Sequence, residues 1–150
     1  MKASMSGKSG SKKIVNPLDD MVGYQLRRAS VAMLDDLAAA LADLDLRPTG
    51  ASILLLVGAN PGITQSAIGR ILEIERANMA PQAAMLTSRD FVARSASDGR
   101  SQGLRLTAAG KAVVTKVRAR IAAHEQRFVA GFSDAEKASL LRALKSVWQH

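Results

Sequence analysis

The sequence predicts a mainly α-helical protein with a small β-hairpin: a winged helix-turn-helix core plus amino- and carboxy-terminal dimerisation helices. Three observations support this fold class. Apolar residues recur at helical spacing through much of the chain, two short helix signals follow residue 63, and an Asp98-Gly99 pair separates two short strand-like segments. With 150 residues and 47% hydrophobic composition, the chain can bury one core.

The amino-terminal third predicts one long helix. The apolar residues from Leu18 to Leu44 are three or four positions apart, which indicates an amphipathic helix over residues 17–46. Such a helix would be about 45 Å long, more than a small winged-helix core needs. We therefore expect it to pair with a second copy of the chain. Residues 1–16, rich in Ser, Gly and Lys, are expected to form a disordered basic arm.

The next segment, residues 47–106, predicts the DNA-binding lobe. Pro48 suits the first turn of a helix whose apolar run at 53–57 should be buried, and Asn60-Pro61-Gly62 should end it. Residues 63–79 then predict a helix-turn-helix, with Thr64 or Ser66 as the cap and with an inward apolar face of Ile68, Ile71, Leu72 and Ile74. Two ordinary amphipathic helices in a helical core would show the same pattern.

Pro81 interrupts the second helix of this motif. Proline has no amide hydrogen, so the Ala77 carbonyl loses its helical partner. Either the helix is kinked at Pro81, or its first regular turn begins near Asn78.

The segment after this helix predicts a β-hairpin. If Asp98-Gly99 is a two-residue turn, Phe91 lies opposite Leu106 and Ala93 lies opposite Leu104 on an apolar face. The outer face would then carry Arg94 and Arg105. These two arginines are phosphate contacts or simply solvated side chains.

Residues 107–150 predict two further helices. Thr107 can cap the first, whose apolar stripe from Val113 to Phe128 includes His124, a residue more typical of a satisfied interface histidine than of a ligand or pH sensor. Ser133 and Glu136 form a capping box for the last helix, whose apolar residues are Leu140, Leu141, Leu144, Val147 and Trp148. Apolar helices at both ends indicate a dimer interface; the alternative is packing on their own subunit.

Charge favours a nucleic-acid partner. The net charge is +8, and residues 61–127 carry eleven basic and five acidic residues, whereas residues 14–60 carry three and six. This distribution suits DNA binding with counterion release, although a solvated basic surface would also show it. Only 3% of the residues are aromatic, which favours duplex over single-stranded DNA.

Other classes of function have little support. The chain has no cysteine and two histidines without clustered carboxylates, so we expect no enzyme activity, no metal and no cofactor. No signal peptide and no apolar segment of about 18 residues is present, which makes the cytoplasm the expected location. A DNA-binding protein without an effector and a helical protein-interaction module remain alternatives.

The residues themselves indicate two sets of candidate sites. Side chains suited to phosphate oxygens or base edges are Thr64, Gln65, Ser66, Arg76, Asn78, Gln82 and Arg94. Tyr24, Arg27 and Arg28 are candidates for binding an effector, because a guanidinium can bind a carboxylate bidentately and a ring can cover an aromatic ligand. They could equally be surface or interface groups.

Several motifs resemble the MarR family of bacterial transcriptional regulators over about residues 20–130. They are Arg47-Pro48-Thr49, Pro61 to Ser66, Arg76 to Met79, Asp98-Gly99-Arg100-Ser101 and Leu106-Thr107-Ala108-Ala109-Gly110. The Asp-x-Arg wing followed by Leu-Thr-x-x-Gly is the most specific. The resemblance implies a homodimer whose two lobes bind a pseudo-palindromic operator.

The same resemblance implies roles for particular residues. The helix from about Arg76 enters the major groove, and Arg100 reaches the minor groove while Asp98 holds it by a charge-assisted hydrogen bond. A plain turn arginine is the alternative for Arg100. The resemblance also implies a repressor that releases DNA when an aromatic carboxylate or a related thioester occupies a cleft between the dimer helices and the lobe.

The sequence departs from the family pattern at several positions. Arg47 replaces a frequent capping Thr, Glu73 and Asp90 occupy positions that are often Gly, and Ala80 and Pro81 stand where many members contact DNA. Arg76 and Asn78 are therefore the stronger candidates on this helix.

Overall fold

The computed structural model describes residues 14–95 and 103–149. In chain order the elements are α1 (Val22–Leu41), a short 3-10 helix (Ala42–Leu44), α2 (Pro48–Ala59), β1 (Ile63–Thr64), α3 (Gln65–Ile71), α4 (Arg76–Ser88), β2 (Val92–Ser95), β3 (Gly103–Leu106), α5 (Ala108–Val129) and α6 (Asp134–Trp148). The mainly helical class with a small sheet is confirmed. Residues 1–13 of the predicted arm lie outside the described residues.

The chain divides into two compact units, Met1–Ala32 and Met33–His150. In the first unit, the long helix predicted from residue 17 is wrong at its start. The Asn16 side chain accepts a hydrogen bond from the Leu18 amide (3.1 Å) and donates one to Asp19 (2.5 Å), so residues 17–20 form a turn. A short polar side chain that bonds nearby backbone competes with helix formation in this way.

The predicted end of that helix is also wrong. Helix α1 stops at Leu41, and Asp45 adopts a left-handed conformation with φ of 50° after the 3-10 turn. The helix has 20 residues instead of the predicted 30, and is therefore about 30 Å long.

The core of the second unit lies between the helix-turn-helix, the sheet and the flanking helices. Its fully buried side chains come from the end of α1, from α2, α3, α4, β2 and β3, and from the middle of α5: Leu41, Ile53, Leu54, Val57, Ile68, Leu86, Val92, Leu104 and Val117. Pro48 is the first residue of α2, and Gly62 turns the chain after it with φ of 90°. Both predicted ends of this helix are confirmed, and of the apolar run at 53–57 three residues are buried whereas Leu55 and Leu56 are half-buried.

The first motif helix, α3, is shorter than its apolar pattern predicts. Thr64 caps it as predicted, with its Oγ1 accepting from the Ala67 amide at 3.2 Å, and Ile68 is buried. The predicted inward position of Ile71 is wrong, because this side chain is 57% exposed. Since α3 ends at Ile71, the half-buried Leu72 and Ile74 in the following turn take the inward positions.

Helix α4 is continuous through Pro81. It begins at Arg76, so the predicted alternative of a first regular turn near Asn78 is wrong. Met79, Ala83 and Leu86 face the core, and the proline ring lies on the exposed side. The missing amide therefore falls where water can reach the Ala77 carbonyl.

The three strands form an antiparallel sheet in the order β1-β3-β2. The predicted pairs Phe91 with Leu106 and Ala93 with Leu104 are wrong by one residue, because Val92 lies opposite Leu106 and Arg94 opposite Leu104. A shift of one residue exchanges the two faces of a strand. Val92 therefore enters the core, and Arg94 and Arg105 lie on opposite faces instead of sharing one.

The predicted two-residue turn at Asp98-Gly99 falls between Ser95 and Gly103, the last described pair of the two strands. The loop itself, with Asp98 and Arg100, lies outside the described residues.

Helix α5 is joined tightly to the hairpin. Thr107 caps it as predicted, accepting from the Gly110 amide at 2.9 Å, and the Thr107 amide donates to the Phe91 carbonyl at 3.1 Å. A Cβ added to Gly110 would lie 1.9 Å from that same carbonyl oxygen. The Leu-Thr-x-x-Gly motif therefore supplies both the cap and the close approach of helix to strand.

Helix α6 begins with the predicted capping box. The Ser133 amide donates to Glu136 Oε2 at 2.8 Å, and the Glu136 amide donates to Ser133 Oγ at 3.3 Å. The Ser133 amide, together with the Ser133 hydroxyl that donates to Glu136 Oε2 at 2.7 Å, holds the pKa of the Glu136 carboxyl below its usual value. No residue of α6 is buried. Among the described residues, no helix is both long enough and apolar enough to cross a membrane.

Candidate nucleic-acid interface

A groove of about 780 Å³ lies where the helix-turn-helix meets the sheet. The start and end of α3, the following turn, the start of α4 and one face of β2 and β3 form its walls. Its floor contains Met79, which is buried, and Leu104, which is nearly fully buried. The groove thus joins both helices of the motif to the hairpin.

Three guanidinium groups from three elements line this groove. Arg70 lies in the last turn of α3, Arg76 begins α4 and Arg94 lies on β2. Arg70 and Arg76 are exposed, and neither has an ion-pair partner among residues 14–95 and 103–149. Guanidinium groups in this arrangement suit the phosphate oxygens of a polyanion.

The groove also contains acidic groups. Glu73 and Glu75, in the turn between α3 and α4, line it beside the arginines. Glu73 has φ of 53° and Asp90 has φ of 55°, the left-handed conformation that glycine adopts most easily. These are two of the positions at which the family often has glycine.

The structure brings together most of the residues predicted to contact DNA. Thr64, Gln65, Ser66, Arg76 and Arg94 all line the groove. Asn78 is exposed and Gln82 is half-buried on α4, but neither lines the groove. Asp98 and Arg100 lie outside the described residues, so their predicted roles stay predictions.

Sequence reasoning missed Arg70. It lies four residues after Ser66, so both fall on the side of α3 that faces away from the buried Ile68. That spacing could have identified it. Half of the eight exposed residues of α4 are small and apolar: Ala77, Ala80, Pro81 and Ala84.

The predicted effector residues lie on α1, and the structure brings only two of them together. The guanidinium carbon of Arg28 lies 5.7 Å from the centroid of the Tyr24 ring, and Asn16 donates to the Tyr24 hydroxyl at 3.4 Å. Arg27 is exposed. A cavity of about 340 Å³ on the same helix, lined by Val22, Gln25 and Leu26 among others, contains none of the three.

His124 is buried and has a polar partner within its own chain. Its Nδ1 lies 2.7 Å from Asp36 Oδ2, and its ring packs on Phe128 at 4.9 Å between centroids. Arg127 also binds Asp36, and Arg120 binds Asp43. The His124 hydrogen bond and the Arg127 guanidinium hold the pKa of the Asp36 carboxyl below its usual value. His124 is thus satisfied as predicted; its place at an interface stays a prediction.

Arg47 precedes α2 without a side-chain cap, as the departure from the family pattern predicts. In the part of the chain that the structure describes, no group of three His, Cys, Asp or Glu side chains could hold a metal ion.

The two helices of a helix-turn-helix, α3 and α4, share a groove with the paired strands β2 and β3 that follow them. This arrangement defines a winged helix-turn-helix protein. The chain is similar to two solved structures of the transcriptional repressor CouR. The structure bound to a 23-mer DNA duplex is 31% identical, with a TM-score of 0.83, over 91% of this chain and 99% of that chain. The structure bound to p-coumaroyl-CoA is 29% identical, with a TM-score of 0.79, over 91% and 97%.

Two further relatives are similar to most of this chain. A MarR-family protein of Mycobacterium tuberculosis, solved with salicylic acid, is 27% identical with a TM-score of 0.68 over 86% of this chain and 97% of that chain. A Thauera aromatica protein, whose name proposes a regulatory role for the hcr operon, is 25% identical over 85% of this chain and 79% of its own length. No protein-family model matches the chain. The chain belongs to the MarR family of transcriptional regulators.

Proposed function

We propose that this protein is a homodimeric regulator that binds double-stranded DNA at a pseudo-palindromic operator, represses transcription there and is released by a small effector. The groove carries this proposal, because it brings Arg70, Arg76 and Arg94 from three elements to the exposed start of α4. The similarity to CouR, which was solved on a DNA duplex, supports it. The same class of function implies no enzyme activity.

Helix α4 is the element that enters the major groove in this proposal. Arg76 and Asn78 are the exposed polar side chains at its start, and Arg reads guanine whereas Asn reads adenine. The exposed Ala77, Ala80 and Pro81 can make apolar contact with thymine methyl groups. Gln82 contributes at the rim of this surface.

The remaining groove residues position the protein on the DNA backbone. Thr64, Gln65 and Ser66 stand at the start of α3, where amide groups suit a phosphate. Arg70 and Arg94 supply charge on the two sides of the start of α4. Arg100, held by Asp98, is the minor-groove contact that the family resemblance implies.

The terminal helices form the dimer in this proposal. Leu141, Val147 and Trp148 of α6 are 54%, 55% and 64% exposed. An apolar face of this kind is typical of an association surface. The proposed organisation is a basic arm at 1–16, a dimerisation segment at 17–46 that contains α1, the lobe at 47–106 and further dimerisation helices at 107–150.

The proposed effector is an aromatic acid or an aromatic thioester. CouR was solved with p-coumaroyl-CoA and the M. tuberculosis relative with salicylic acid. Tyr24 with Arg28 offers a ring beside a guanidinium, which suits an aromatic anion, and Arg27 completes the predicted set.

Fluorescence anisotropy tests the DNA-binding proposal. The purified protein is titrated with duplex DNA from beside its own gene and with scrambled DNA of equal length, at several salt concentrations. We expect the native duplex to bind at least about 1,000-fold more tightly, and both affinities to fall steeply with salt. Equal binding of the two duplexes at every salt concentration would contradict sequence-specific recognition.

Two variants with one matched control test the assignment of the groove. Arg76→Ala should weaken operator binding by about 1–3 kcal/mol. Arg70→Ala should weaken binding to both duplexes alike, and should reduce the slope of the logarithm of the binding constant against the logarithm of the salt concentration by about 1. Arg118→Ala removes an equal charge from an exposed position on α5 outside the groove and should leave binding unchanged. Equal losses in all three variants would mean that net charge, not the groove, determines binding.

The effector proposal has its own measurement. A panel of aromatic acids and their coenzyme A thioesters is added to the operator complex. Release by one of them, lost in Arg28→Ala, is the expected result. If no compound releases the DNA, the protein is a regulator without this class of effector.

A further inference from the structure

A second cavity lies on the opposite side of the hairpin from the DNA groove. It has a volume of about 410 Å³ and is bounded by the end of α2, the strands β2 and β3 and the start of α5. None of its lining residues also lines the DNA groove. None of Tyr24, Arg27 and Arg28 lines it.

The floor of this cavity is apolar. Val57 is fully buried, Ala93 and Leu106 are half-buried, and Pro61 lies at the exposed edge. Gly58 completes the floor without a side chain. A cavity of this size with such a floor suits a small organic molecule with an apolar body.

The mouth of the cavity is cationic. Arg105 from β3 and Lys111 from the first turns of α5 line it, and both side chains are exposed. Neither has an ion-pair partner within the described ranges 14–95 and 103–149. Two unpaired cations above an apolar floor attract an anion that can bury its uncharged part.

We propose that the cavity formed by Val57, Ala93, Leu106, Arg105 and Lys111 is a binding site for a small organic carboxylate with an apolar body. The carboxylate accepts hydrogen bonds from the Arg105 guanidinium and the Lys111 ammonium, and the apolar body covers Ala93 and Leu106. A bare phosphate would leave the floor empty, and a neutral compound would leave both cations unpaired. This chemistry distinguishes the site from the DNA groove, which contains Glu73 and Glu75 as well as arginines.

Ligand binding here is measured without DNA, so its outcome is independent of the proposed regulatory function. Benzoate is titrated into the ¹⁵N-labelled full-length chain and followed by ¹H–¹⁵N correlation spectra. We expect saturable shifts at the amides of Gly58, Ala93, Arg105 and Lys111. Shifts centred on α1 or on the DNA groove, or no shift up to about 10 mM, would overturn the proposal.

Two pairs of substitutions distinguish binding in this cavity from a general effect of the positive charge of the protein. Arg105→Ala with Lys111→Ala should weaken benzoate binding at least about tenfold. Lys116→Ala with Arg118→Ala removes the same charge from exposed positions on α5 outside the cavity and should change it less than about twofold. Equal losses in both pairs would overturn the assignment.

Ligand chemistry and cavity shape provide two further tests. Benzamide, which is neutral, and inorganic phosphate, which has no apolar body, should both bind at least about tenfold more weakly than benzoate. Ala93→Leu fills the floor but keeps both cations, and should abolish benzoate binding with the fold retained. If benzamide binds as well as benzoate, or if Arg105→Ala with Lys111→Ala weakens only DNA binding, the cavity is not a carboxylate site.

Discussion

The DNA-binding lobe and the last helix differ in the burial of their apolar side chains. In the lobe, Val57, Ile68 and Leu86 are completely buried within the chain. Along α6, Leu141, Val147 and Trp148 are more than half exposed, although the helix has a complete capping box. Both regions form regular helices. A regular helix in this chain therefore does not require that its apolar residues be buried within the same chain.

This difference in burial indicates which interactions stabilise each region. The lobe is held by contacts that the chain makes with itself, including the joint between Thr107, Gly110 and the Phe91 carbonyl. Helix α6 has local capping but no burial, and isolated helices of about 12–15 residues are marginal in water. The lobe should therefore respond to packing changes, and α6 to changes in association.

Gly110→Ala is the sharpest test of packing in the lobe and has the largest expected effect. The added methyl would lie 1.9 Å from the Phe91 carbonyl oxygen, so helix or strand must move. We expect a loss of about 3 kcal/mol in the free energy of unfolding, measured by urea denaturation.

A second helical glycine provides the control for that experiment. Gly23 in α1 has no heavy atom within 4 Å of the position that an added methyl would occupy, so Gly23→Ala should be neutral or stabilising by up to about 1 kcal/mol. If both substitutions cost the same, the close approach at Gly110 is not what holds α5 to the hairpin.

Leu141→Glu tests the opposite property, association through α6. Leu141 is 54% exposed in the single chain, so a carboxylate there is harmless to a monomer but must be buried in the proposed dimer. We expect dimerisation to weaken by about 3 kcal/mol, measured by sedimentation equilibrium. Ser139→Glu adds the same charge away from the apolar stripe and should leave the dimer intact. An unchanged dimer in Leu141→Glu would exclude this face of α6 from the interface.

The features that sequence predicted well are set by a few neighbouring residues. The caps at Thr64, Thr107 and Ser133 and the proline start of α2 depend on side chains within three or four positions, and all are present. Five of the nine predicted DNA-contacting residues line one groove, and four of these lie at the cap of α3 or on the two short helices that the local pattern predicts. Local chemistry and periodicity were sufficient for these.

The features that sequence missed depend on distant contacts. The hairpin register was wrong by one residue because an assumed turn type determined it, whereas the actual pairing is fixed by β3 lying between β1 and β2. Ile71 was placed inward because its spacing fits a helix that in fact ends at that residue. Arg70 was missed although its spacing from Ser66 could have identified it, and the folded groove adds that it lines the same surface as Arg76 and Arg94.

Ser133→Ala sharpens the distinction between capping and burial. The substitution removes the hydroxyl that accepts a hydrogen bond from the Glu136 amide, so this amide can bond only to water. We expect a loss of about 1 kcal/mol in helix stability, measured as reduced far-ultraviolet ellipticity on heating. Ser146→Ala, whose hydroxyl only bonds the Ala143 carbonyl inside the same helix, should have little effect. A larger loss from Ser146→Ala would contradict the role of the capping box.

Asp36→Asn tests whether polar contacts between α1 and α5 add to the stability of the second unit, and has the smallest expected effect because Asn keeps an acceptor oxygen. The hydrogen bond from His124 and the Arg127 guanidinium lower the pKa of Asp36 in the folded chain. A lowered pKa contributes stability above the unfolded value, about pH 4, and this contribution is lost as the pH falls through the folded value. The wild type should therefore melt at a higher temperature than Asp36→Asn at pH 7, and the difference should shrink below about pH 4. A melting-temperature difference that stays constant from neutral pH to about pH 3 would mean that ionisation of Asp36 does not stabilise this contact between α1 and α5.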